Sequence, residues 1–119
     1  MSDLPDNIHK AAGYLQRFRE RPVHNHIDGA SIPAQSGQTF ETRTPVDQSL
    51  LASVAASDGR DIDIAAKAAK TAFPAWAAIP GEERKRLLHR IADAIERRAE
   101  EIAFVECMDT GQSLRFMSK

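Results

Sequence analysis

Between Ser49 and Trp76 the chain reads SLLASVAASDGRDIDIAAKAAKTAFPAW, and the spacing of its apolar residues changes partway through. Up to Ala55 they alternate: Leu50, Ala52 and Val54 fall on one face of an extended strand, and Leu51, Ser53 and Ala55 on the other. After Ser57-Asp58-Gly59 the period becomes that of a helix. Ile62, Ala65, Ala69, Ala72, Phe73 and Trp76 make one stripe, with Asp61 and Asp63 near the positive end of the helix dipole. Pro74 is expected to kink or end that helix. A strand-rich first half gives way here to a helical second half.

Upstream of this junction, HNHIDGASIP (24–33) sets Asp28-Gly29 between two short extended stretches, the dipeptide that a type I′ hairpin turn prefers. SGQTFETRTP (36–45) follows with a β-prone run, Thr39 to Arg43, closed by Pro45. We expect three short strands in an antiparallel meander. Downstream, residues 79–111 carry the longest helical pattern. Pro80 suits the first helical position and Glu82 and Glu83 suit the dipole. Leu88, Ile91, Ala92, Ile95, Ala99 and Ile102 face one way, and Gly111 marks the stop. At the other end, Ile8, Ala11, Ala12, Leu15 and Phe18 define an amphipathic helix that Pro22 ends. Residues 1–22 are thus an N-terminal helical extension. Its near-balanced charge favours docking on protein over lying on a membrane.

The totals limit the function classes. A length of 119 residues suits one domain, and 42% hydrophobic residues make wholesale disorder implausible. Nineteen of the apolar residues are alanine, which bury little area each, so the chain forms secondary structure more readily than it fills a core. A net charge of −1 gives no global pull toward nucleic acid. The basic cluster Arg84-Lys85-Arg86 is matched by the acidic residues around it and reads as a solvated helix face. The start, MSDLPDNIHK, has no apolar core of a signal peptide, and with one cysteine present a reducing cytoplasm is the expected location.

Few residues carry chemistry. His24 and His26 would share a strand face, but two ligands alone make a poor metal site, and a hairpin edge is the expected setting. The glycines lack the spacing of a P-loop or a dinucleotide fingerprint. Cys107, the lone cysteine, stands near a helix C-terminus between Glu106 and Asp109, both of which disfavour a thiolate. Phe104 and Met108 share its helix face, so Cys107 is expected to pack and not to attack. No catalytic residue and no cofactor-binding residue is assigned within this chain.

Taken in order, IDG (27–29), FETRTP (40–45), AFPAW (72–76), ERKRLLHRIADAIERRAEEIA (83–103) and MDTG (108–111) with a following Leu114 resemble the N-terminal part of the NAD(P)-dependent aldehyde dehydrogenases. The resemblance implies an α/β fold, of which this chain would hold a short antiparallel β-meander followed by helices, an incomplete domain. Residues 23–119 would be the N-terminal part of the cofactor-binding domain. It further implies oxidation of an aldehyde to the carboxylate, with hydride passing to NAD or NADP. The nucleophilic cysteine, the glutamate and the phosphate-cradling glycines of the family all lie beyond the DTG landmark, so the chain reads as an inactive fragment or a truncated open reading frame. The complete enzyme would be a homo-oligomer. Thr44 departs from the family's usual Asn, a change expected to matter little.

The resemblance also implies a monovalent cation, K+ or Na+, held by backbone carbonyls at the strand matching FETRTP and by the aspartate of DTG. The matching positions are Thr42, Arg43 and Asp109. A hard cation suits such oxygens. Asp109 is equally suited to hydrogen-bonding the turn around Gly111. The first helix and the ending SLRFMSK are similar to the 5-carboxymethyl-2-hydroxymuconate semialdehyde dehydrogenases of aromatic-acid breakdown, which implies a semialdehyde substrate. A different class of reading is a free-standing, non-catalytic helical module that meets a partner protein through its small-residue stripe, Ala65 to Ala72.

Overall fold

The computed structural model describes residues 4–117. Their elements, in order, are α1 (Leu4–Glu20), β1 (Asn25–Ile27), β2 (Ala30–Ile32), β3 (Thr39–Arg43), β4 (Leu50–Ala55), α2 (Gly59–Ala78), α3 (Gly81–Arg97), α4 (Ala99–Thr110) and α5 (Leu114–Met117). They group into two compact units. One comprises residues 4–23, 40–54 and 98–117; the other comprises 24–39 and 55–97. Short antiparallel strands followed by helices are present as the sequence implies. The strands are four, not three, and they form two separate two-stranded sheets, β1-β2 and β3-β4.

The Asp28-Gly29 turn forms as its sequence implies, and its two flanks count as two of the four strands. Asp28 (φ 52°) and Gly29 (φ 76°) both take the left-handed backbone that a type I′ turn needs, so each flank of the turn is a strand in its own right. Asn25 pairs with Ile32, His26 with Ser31 and Ile27 with Ala30. His26 is exposed on β1, and His24, just before that strand, is half-buried.

In the same unit, α2 begins with a capping box. Asp58 Oδ1 accepts from Arg60 N at 2.8 Å, and Asp61 Oδ2 accepts from Asp58 N at 2.9 Å. Asp61 is buried. Its Oδ1 takes the Gln35 backbone N–H at 2.9 Å and the Asn25 amide at 3.4 Å. The expected dipole role understates this residue: it ties the β1-β2 hairpin and the 34–35 loop to the first turn of α2. Helix α2 then runs through Pro74 to Ala78 instead of stopping there. The apolar stripe of α2, from Ile62 to Trp76, is largely exposed, as is the face of α3 that carries Leu88, Ile91 and Ile95.

In the other unit α1 lies on α4, with Ala11 and Leu15 of one and Ala103 and Phe104 of the other buried. The Tyr14 and Phe104 rings stand 5.7 Å apart. The long helix expected from Pro80 to Thr110 is two helices. Arg98, at φ −113° and ψ 14°, breaks the pattern, and its guanidinium forks onto Glu101 with two contacts of 2.9 Å. The break also changes which residues face inward: α4 buries Ala103 and Phe104 and leaves Ile102 exposed. Strands β3 and β4 join through a turn closed by Thr44 N–H to Ser49 O (3.0 Å) and Gln48 N–H to Thr44 O (2.9 Å). Among the described residues, no helix is long and apolar enough to cross a membrane.

Candidate functional site

The FETRTP and MDTG segments meet. Gly111, with φ 75°, ends α4 in the left-handed conformation, its N–H donating to Cys107 O at 3.0 Å. A Cβ placed on Gly111 would stand 3.0 Å from Pro45 Cγ. Glycine is therefore required twice, by the backbone angle and by the proline ring packed against it.

Next to this contact is a cavity of about 250 Å³. Thr42 of β3 and Asp109 of α4 supply its polar lining, and Leu15, Phe18, Val54 and Val105 are among its apolar walls. Two of the three residues implied as cation ligands thus border one space. The third does not bring its side chain: Arg43 donates to Gln48 O at 3.1 Å and to Glu41 at 2.6 Å. The turn at the end of α4 is held by Thr110, whose hydroxyl donates to Glu106 O (2.8 Å) and accepts from Gln112 N–H (3.3 Å). No hydrogen bond to the Asp109 side chain occurs among the described residues.

Thr44, expected to matter little, is the fully buried residue of this region. Its Oγ1 accepts the Val46 N–H at 3.2 Å, the turn-forming bond that an asparagine would also make. Neither Thr44 nor Asp61 stood out as functional by sequence. The signal for Asp61 was nevertheless present, since an acid three residues after Asp58 is the capping-box pattern.

A second, larger groove of about 500 Å³ runs between α1 and α4 and is lined by Ile8, Leu15, Val46, Phe104, Cys107 and Met108, among others. The half-buried Cys107 lines this groove beside Phe104 and Met108. Ionic contacts secure the edge of the α1–α4 seam. Lys10 Nζ meets Glu100 at 2.6 Å, the Tyr14 hydroxyl donates to the same carboxylate at 2.7 Å, and Arg17 meets Glu101 at 2.6 Å. Hydrogen bonds from Lys10 and then Tyr14 hold the Glu100 carboxyl below its ordinary value, and that from Arg98 does the same for Glu101.

With this geometry in view, comparison with known proteins is direct. The profile described as Aldehyde dehydrogenase family matches residues 32–119, and the chain belongs to that family. Aldehyde dehydrogenase 1 of Tanacetum cinerariifolium is 43% identical over 88 residues, 72% of this chain and 18% of that protein. The crystal structure of HpcC from Thermus thermophilus superposes with a TM-score of 0.88 at 40% identity, over 93% of this chain and 22% of that one. The NAD+ complex of an aldehyde dehydrogenase from Bacillus cereus gives 0.79 at 36% identity, over 84% of this chain and 21% of that one. The chain therefore spans about a fifth of the length of these relatives.

Proposed function

We propose that this chain is the N-terminal segment of an NAD(P)-dependent aldehyde dehydrogenase that oxidises an aldehyde to the carboxylate. The observation that carries the reading is the packing of Pro45 on Gly111, which joins two of the family's landmarks in space as well as in order. Residues 23–119 then contribute to the cofactor-binding domain of a cytoplasmic, homo-oligomeric enzyme, and bound nicotinamide supplies the hydride acceptor. The HpcC match leaves too little of the chain uncovered to omit α1, which with the ending SLRFMSK prompted the semialdehyde reading. We take a semialdehyde of aromatic-acid breakdown as the substrate class.

Thr42, Arg43 and Asp109 are proposed to hold K+ or Na+. Support comes from the cavity that Thr42 and Asp109 both border and from the Asp109 carboxylate, which accepts no hydrogen bond among the described residues and is an oxygen ligand of the kind hard cations take. Arg43 would contribute its carbonyl, since its guanidinium is engaged at the β3-β4 turn.

The test is complementation. The purified chain, given aldehydes and NAD+ or NADP+, should form no reduced nicotinamide. Mixed with a polypeptide supplying the remaining four-fifths of a relative, it should restore turnover. A reading frame that runs past Lys119 into a long α/β sequence with a cysteine nucleophile would agree. Turnover by the chain alone, lost in Cys107→Ser, would overturn both the fragment reading and the packing role of that thiol.

A further inference from the structure

We propose that α1 decides whether the run from Gly81 to Thr110 is one helix or two. Docked on α4 it holds the break at Arg98, and released it lets α3 and α4 join. Nothing strong in the local sequence asks for the break. Residues 95–102 read IERRAEEI, without glycine or proline, and Ala, Arg and Glu are among the best helix formers. The apolar spacing runs through the same point, from Ile91 and Ile95 to Ala99 and Ile102. Arg98 supplies no side-chain cap to α4 and is not of a residue type that caps well. Its fork on Glu101 is an i,i+3 pair, which an unbroken helix accommodates equally. Glu100 and Glu101 suit a first turn through the helix dipole, a weak preference.

What acts at the break is α1. Lys10, Tyr14 and Arg17 stand at i, i+4 and i+7, on one face, and all three reach the first turn of α4. Lys10 Nζ meets Glu100 at 2.6 Å, the Tyr14 hydroxyl donates to it at 2.7 Å, and Arg17 Nη2 meets Glu101 at 2.6 Å. Beside them Ala11 and Leu15 are buried with Ala103 and Phe104. Exposed ion pairs contribute little each, so the apolar centre holds α1 while the charged edge sets where α4 begins. The break leaves the N–H groups of Ala99, Glu100 and Glu101 without an acceptor inside α4. An unbroken helix would give them the carbonyls of Ile95, Glu96 and Arg97. Docking of α1 offsets that loss. By linkage, whatever favours the break must favour docking by the same factor.

Amide hydrogen exchange on the full chain tests this with opposite signs at two places. Lys10→Glu combined with Arg17→Glu sets like charges against Glu100 and Glu101 and should speed exchange throughout α1. Ala99, Glu100 and Glu101 should instead exchange several-fold more slowly, as they gain acceptors. A general loosening would speed all of these amides together. Ala99→Gly leaves every ion pair in place and penalises a helix interior more than a helix end. Alone it should slow exchange in α1 several-fold; added to the double variant it should cancel the protection gained at Glu100 and Glu101. If the double variant frees α1 and residues 99–101 stay fast, the break belongs to other contacts of α4 and the switch is wrong. An α1 unmoved by the double variant would overturn it too. Should the double variant fail to fold, Ala99→Gly decides alone, and α1 exchange that is unchanged or faster sinks the proposal.

Discussion

Asp61 is buried yet accepts three hydrogen bonds, from the backbone of Asp58 and Gln35 and from the Asn25 amide. Asp61→Ala would leave two backbone N–H groups without acceptors, and each such loss costs roughly 1–3 kcal/mol. Amide exchange across 25–35 and the first turn of α2 should rise sharply in that variant, and Asp61→Asn, keeping one acceptor, should fall between it and the parent. Unchanged exchange in Asp61→Ala would refute the tie. Gly111 makes a different demand. Gly111→Ala places a Cβ 3.0 Å from Pro45 Cγ at a backbone angle of φ 75°, a strain of about 1–3 kcal/mol. Adding Pro45→Ala should recover the part owed to the contact and not the part owed to the angle, as urea denaturation of the two variants would show.

At the scale of elements, the α1–α4 seam joins a small apolar centre to an exposed ionic edge, and its pH dependence follows from the direction of each shift. Glu100 is lowered from 4.5, so its contribution is present above the ordinary glutamate value and is lost as pH falls through the lower, folded one. Lys10 is raised from 10.5 by the hydrogen bond to Glu100, so its contribution holds below that value and is lost as pH rises through the higher, folded one. Docking should be flat between these limits and weaken outside them. Tyr14, the single tyrosine, is itself a probe: donation to Glu100 raises its phenol above 10.0. Absorbance titration should place phenolate formation above that value, and Glu100→Ala should bring it down. A midpoint unmoved by Glu100→Ala would show that the Tyr14–Glu100 hydrogen bond is not formed in solution.

For the molecule as a whole, the exposed apolar surface decides behaviour. Phe73 is 64% exposed and Leu88, Ile91 and Ile95 are each above half. Large apolar side chains in that number are ordinarily buried, by the same chain or by another. The purified chain should therefore bind a hydrophobic dye and melt over a broad range, with weak cooperativity. A sharp two-state transition without dye binding would instead favour the free-standing module.

Periodicity and turn chemistry are local properties, and they were legible in the order of residues alone. The Asp28-Gly29 turn, the change from strand to helix after Ser57, the glycine stop at position 111 and the ordered family landmarks depend on neighbours within a few positions. What depended on distant partners was not legible. The single helix read from Pro80 to Thr110 divides at Arg98, and the buried face of α4 is set by α1, whose nearest residue in sequence is far away. Asp61 looked like a dipole residue until the 34–35 loop reached it, and Thr44 looked like a neutral replacement until the β3-β4 turn closed around its hydroxyl. Hydrophobic spacing shows that a face is apolar, and only the folded chain decides whether anything covers it. For α1 it is α4 that does so, and for the stripes of α2 and α3 no covering element is found among the described residues.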